Sequence, residues 1–175
     1  MTQDIPWRKR QEIPDAQIRD AADQYEAARK ILASEPPGAG VVLPLINTAA
    51  VAIELYLKCL SAELIHTPDK DFPDVSIVTA APTRWGHQLT TLLEELSDEL
   101  KQELEAAYRA EFPSDASWTF REVLKVCEGA FAASRYPFEH GADIKKYPLK
   151  DLMASSEFLS KFINNLPPKE LIQWK

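Results

Sequence analysis

At 175 residues and 45% hydrophobic content, the chain is long enough for one domain with a sizeable core. A formal net charge of -7 argues against a surface that binds polyanions indiscriminately, so any nucleic-acid contact needs a local basic patch. Cys59 and Cys127 sit among apolar residues at helical spacing, which favours buried, reduced thiols over a disulfide or metal site. The first ten residues lack the apolar stretch of a secretion signal, and no uninterrupted apolar run is long enough to span a bilayer. These features lead to the expectation of a soluble, cytoplasmic protein without membrane contact.

Periodicity predicts helices almost throughout. The first runs from residue 14 to about 34, opening at Pro14-Asp15 and placing Ile18, Ala21, Ala22, Tyr25, Ala28 and Leu32 on one face. Pro36, Pro37 and Gly38 stop it. A second, strongly apolar helix is expected from about Leu43 to Ile65, with His66 in a polar turn after it. Residues 67–85 are punctuated by Pro68, Pro73 and Pro82 and read as irregular, with Ser76–Thr79 a candidate short strand. Leu89, Leu92, Leu93, Leu96, Leu100, Leu104 and Ala107 then define a third helix ending before Pro113. The fourth starts near Ser117 with a capping box, Thr119 to Glu122, and ends at Pro137. The fifth spans about Leu149 to Asn165, closed by Pro167-Pro168. The expected fold is all-α, an up-and-down bundle of about five helices over residues 14–165, with an N-terminal arm (1–13) and a C-terminal tail (166–175).

The second helix carries an interruption to its apolar surface. Asn47, Glu54, Lys58 and Ser61 fall on a single narrow stripe at helical spacing, and Glu54 and Lys58 form an i, i+4 pair in the favourable order. Polar groups on a buried helix require partners or water, since unpaired burial costs several kcal/mol. Arg135 is a candidate partner for Glu54 and Glu139 for Lys58; a narrow solvated face or an internal salt bridge without further function accounts for the stripe equally well. His87 stands at the start of the third helix, where the positive end of the helix dipole disfavours a charged imidazole and a structural hydrogen bond is the simpler role. No Cys/His spacing fits a metal site and no glycine-rich loop could cradle phosphates, so no cofactor is implied.

Chemistry concentrates where the fourth helix ends. Arg135, Tyr136, Glu139 and His140 place a fixed cation, a phenol, a carboxylate and a titratable imidazole in six residues. A guanidinium fork holds a phosphate and an imidazole moves a proton near neutral pH, so the pair could perform phosphodiester chemistry without a metal. A four-residue Arg–His gap is common by chance, and the context gives it meaning. The stretch Ala52-Ile53-Glu54-Leu55-Tyr56-Leu57-Lys58 on a central helix, then Gly86-His87-Gln88-Leu89, then Arg135 and His140, resembles the HEPN superfamily over roughly residues 14–163.

That resemblance implies a helical bundle that forms a homodimer, with the Arg–His segments of two subunits lining one cleft. It also implies a metal-independent endoribonuclease of a toxin–antitoxin or other defence system, with an antitoxin partner. His140 would be the base toward the ribose 2′-hydroxyl, Arg135 would steady the scissile phosphate, and the product would be a 2′,3′-cyclic phosphate. Lys58, Arg135, Lys145, Lys146 and Lys150 would supply a basic cleft for RNA. Three features depart from the family pattern. Tyr136 replaces the small polar residue that usually follows the arginine, and Pro137 bends the backbone inside the motif. Ala142 stands where one toxin branch has the tyrosine modified by a nucleotidyltransferase partner. Some HEPN proteins serve as non-catalytic dimeric modules that bind a protein or nucleotide, and Arg135 salt-bridged to Glu54 would suit that alternative.

Overall fold

A computed structural model describes residues 8–72, 75–83, 85–113, 118–135 and 147–174. The spine of the molecule is α2 (Val42–Cys59), an 18-residue helix so apolar that it must lie inside the structure. By length and hydropathy it could cross a membrane, but most of it is buried within the fold. Against it pack α1 (Ala16–Ala33), the short α6 (Ala130–Arg135) and α7 (Leu149–Asn165), while α3 (Leu89–Glu94), α4 (Asp98–Glu111) and α5 (Phe120–Cys127) complete the helical layer. Ile46, Ile53, Tyr56 and Leu57 of α2 are fully enclosed, as are Leu92, Leu104, Phe120, Leu124, Phe158 and Leu159. Tyr108, Phe120 and Phe158 meet edge-on or tilted at 5.1–5.3 Å and cement α4, α5 and α7.

Helix ends follow local chemistry. Asp15 caps α1 by accepting from the Ile18 amide at 2.9 Å, and its own amide donates to the Cys59 carbonyl at 2.8 Å, tying the start of α1 to the end of α2. Thr119 and Glu122 form the expected capping box on α5. Both cysteines are buried free thiols, as their apolar surroundings indicate.

The molecule is mostly helical but not all-α. A four-stranded antiparallel sheet runs in the order β3-β2-β1-β4, from β1 (Arg8–Ile13), β2 (Ala62–Pro68), β3 (Ser76–Pro82) and β4 (Lys169–Trp174). The second helix therefore stops at Cys59 rather than continuing to Ile65, and Ala62 to Pro68 pairs with Pro82 to Ser76 as a hairpin. β-branched Ile65, Thr67, Ile77, Val78 and Thr79 favour the extended backbone, and a prolonged hydrogen-bonded ladder replaces the expected irregular segment. Residues on both sides of the expected 14–165 unit join the sheet, with Arg8 opposite Trp174 and Ile13 opposite Lys169.

Two expected helices are also divided. The leucine-rich helix breaks at Glu95–Ser97, where Ser97 caps α4 through the Leu100 amide at 3.3 Å and Asp98 and Glu99 occupy the favourable first turn. The following helix breaks at Gly129, whose φ of +83° lies in the region that favours glycine. That break sends α6 along α2 instead of continuing α5.

A candidate carboxylate–imidazole site beside α6

The polar stripe on α2 finds its partners within the fold. Glu54 is buried, and its Oε1 accepts from Lys58 Nζ at 2.6 Å, a salt bridge with both side chains nearly enclosed. Its other oxygen, Oε2, lies 2.8 Å from Nδ1 of His87. Glu54 thus joins a lysine of its own helix to an imidazole 33 residues later. About two turns nearer the helix N-terminus, the stripe engages α6: Asn47 Nδ2 donates to Ser134 Oγ at 3.4 Å. Ser61, at the other end, turns its hydroxyl to the Lys58 carbonyl at 3.5 Å. The internal salt bridge foreseen for the stripe is therefore present, between Glu54 and Lys58.

His87 and Arg135 meet on a shared aromatic ring. The imidazole lies 4.9 Å from Phe131, tilted by 32°, and the Arg135 guanidinium carbon sits 5.2 Å from the same ring centroid. Arg135 occupies the last turn of α6 and is exposed. His87 is 63% exposed, whereas the Glu54 side chain that holds it is only 8% exposed.

Glu128 fixes this geometry from behind. At the C-cap of α5, its Oε1 accepts from the Thr90 amide at 2.9 Å and from the Thr90 hydroxyl, while Oε2 accepts from Lys125 at 2.7 Å. The start of α3, next to His87, is thereby tied to the α5–α6 junction that aims Phe131 and Arg135. Burial pushes the Glu128 carboxyl up, but the hydrogen bonds from Lys125 and Thr90 outweigh it and hold the group below its ordinary value.

Asn47, Glu54, Lys58, His87 and Arg135 thus gather along one seam between α2, α6 and the turn before α3. Tyr136, Glu139 and His140, together with Lys145 and Lys146, lie outside the described residues. Lys58 is committed to Glu54 inside the fold rather than presented to a cleft. Lys150 is exposed on α7, where it lines a shallow pocket with Asp151, Tyr108, Trp118, Val123 and Val126. Phe131 and Ser134 carry no signal of their own in the sequence beyond the i, i+4 spacing of Phe131 and Arg135.

The arrangement presents a guanidinium and an oriented imidazole on the surface, backed by a buried carboxylate. Such groups can bind an anion and exchange a proton with it. Among the described residues, no group of three His, Cys, Asp or Glu side chains is arranged to hold a metal ion. Compared with models of known protein families, with curated proteins and with solved structures, the chain matches none of them.

Proposed function

We propose that this chain is a HEPN-like protein and a metal-independent endoribonuclease, active as a homodimer in a toxin or defence system with an antitoxin partner. The observation that carries the proposal is the buried Glu54 carboxylate, bridged to Lys58 and His87 beside Arg135 at the end of α6. It supports the reading because the three sequence stretches that resemble the superfamily supply these residues to one seam. On this reading the central helix, the His-bearing turn and the arginine-ended helix correspond to the parts of a HEPN-like bundle, and the antiparallel sheet is an addition to it.

In this reading Arg135 steadies the scissile phosphate and His140 takes the proton of the ribose 2′-hydroxyl. The 2′ oxygen attacks phosphorus, the 5′ oxygen leaves, and a 2′,3′-cyclic phosphate results. The nucleophile belongs to the substrate, so orientation and proton transfer carry the acceleration.

The purified chain, incubated with RNA in EDTA, is expected to cleave it, and His140→Ala to lower the rate by about 100-fold or more. Absence of cleavage by the wild type, or an unchanged rate for His140→Ala, would remove the assignment. A second reading, a non-catalytic dimeric module that binds a protein partner or nucleotide, is favoured by one observation. Ile65, Phe72, Val75, Ile77, Val78 and Trp85 are exposed on or near the β2–β3 hairpin, an apolar surface of the kind that marks interaction sites. On that reading RNA persists intact while the protein remains dimeric in sedimentation equilibrium.

A further inference from the structure

We propose that His87 is a catalytic residue of this site, the acid that protonates the departing 5′ oxygen, with Glu54 as its positioning residue; the inference rests on the ribonuclease assignment above. Cleavage of an RNA phosphodiester by its own 2′-hydroxyl requires two proton movements. The bond from the 2′ oxygen to phosphorus forms as the hydroxyl gives up its proton to a base. The bond from phosphorus to the 5′ oxygen breaks, and that oxygen gains a proton to leave as a hydroxyl. Without an acid it must depart as an alkoxide, so a second proton carrier near the phosphate accelerates the reaction.

His87 has the geometry of such a carrier. Glu54 is already paired with the Lys58 ammonium through Oε1, and as a carboxylate it only accepts hydrogen bonds. The 2.8 Å contact to Oε2 therefore makes Nδ1 the donor; the acid form is the imidazolium, whose Nε2 gives its proton to the departing 5′ oxygen and leaves the neutral ring with Nδ1–H on Glu54. The carboxylate is almost enclosed and the imidazole mostly exposed, so the orienting group is protected while the reacting group faces solvent. Phe131 supports one side of the ring. Arg135 lies against the same phenyl ring, and in this proposal a phosphate held by its guanidinium reaches the imidazole. Thr90 and Glu128 lock the backbone just after His87 to the α5–α6 junction and preserve that spacing.

The test compares two substrates in EDTA: an oligoribonucleotide, whose 5′ oxygen is a poor leaving group, and uridine 3′-(4-nitrophenyl phosphate), whose phenolate departs without a proton. His87→Gln is expected to lower kcat/KM on the oligonucleotide by about 100- to 10,000-fold. On the nitrophenyl ester the loss should be at least about tenfold smaller. His87→Asn takes its place if the first variant unfolds below the wild-type midpoint. No loss on the oligonucleotide overturns the role of His87 and leaves a ribonuclease without it, as does an equal loss on both substrates in a variant that unfolds like the wild type. Failure of the wild type to cleave either substrate removes the ribonuclease itself, and the acid role with it.

Discussion

Replacing Glu54 by leucine would remove the carboxylate at the centre of the seam while keeping a good helix former of similar reach. Two contacts vanish, the 2.6 Å bridge to Lys58 and the 2.8 Å bond from His87. The lysine loss dominates, because its ammonium is left in a nearly enclosed position without a counter-charge. Breaking a buried pair from one side costs about 3–5 kcal/mol. Lys58 sits near the end of α2 on a flexible stem that can reach toward water, so the lower figure, about 3 kcal/mol, applies. For a domain of this size each kcal/mol moves the midpoint by about 2–4 °C, which makes the expected fall about 6–12 °C.

The reverse change is milder. In Lys58→Met the carboxylate keeps His87, so the cost should be about 1–2 kcal/mol. In the double variant Glu54→Leu with Lys58→Met no charge is stranded, and the loss should be smaller than for Glu54→Leu alone. Thermal and urea unfolding followed by circular dichroism would measure all three. A fall of less than about 2 °C for Glu54→Leu, or equal losses for the two single variants, would refute the hub assigned to Glu54.

Acid should loosen the junction that aims the site. The Glu128 carboxyl is held below its ordinary value in the folded chain, so its stabilising contribution is present above the unfolded value of about 4.3 and is lost as pH falls through the folded one. The Thr90 amide, which donates to Glu128, should shift and exchange faster over that acidic window in an NMR titration, and Glu128→Gln should abolish the step; an unchanged amide between about pH 5 and pH 2 would contradict it. Burial pushes the Cys127 thiol up to about 12 and the Cys59 thiol higher still, so both should react with a disulfide reagent at neutral pH only at the rate of unfolding. Rapid labelling of either thiol in the native protein would show that its site opens far more easily than its packing implies.

Much of the helical layer was legible in the chain because its signals are local. Asp15 before α1, the Thr119–Glu122 box and the helical spacing of Leu152, Leu159 and Ile163 each act within one or two turns. The divisions at Ser97 and Gly129 carried signals too, a capping serine before two acidic residues and a glycine within a helical pattern. The continuous leucine periodicity across the first masked it. The sheet was far less visible. Ala62, Leu64 and Ile65 continue the apolar phase of α2, and short apolar runs do not distinguish helix from strand. β1 pairs with β4 across nearly the whole chain, a register that no local pattern specifies.

The site divides along the same line. Glu54 and Lys58 were readable as an i, i+4 pair on a buried helix. The link from Glu54 to His87, and the contact of both His87 and Arg135 with Phe131, arise from the turn at Gly129 and the lock at Glu128. Those are tertiary consequences, and they convert His87 from an isolated helix-start residue into part of the polar seam.

The chemistry proposed for that seam is written most directly in the ends it would leave on RNA. Cleavage in EDTA followed by mass spectrometry of the fragments should yield 2′,3′-cyclic phosphate and 5′-hydroxyl termini, because the substrate's own 2′ oxygen is the nucleophile. Fragments bearing 3′-hydroxyl and 5′-phosphate termini, or RNA left intact, would contradict the account.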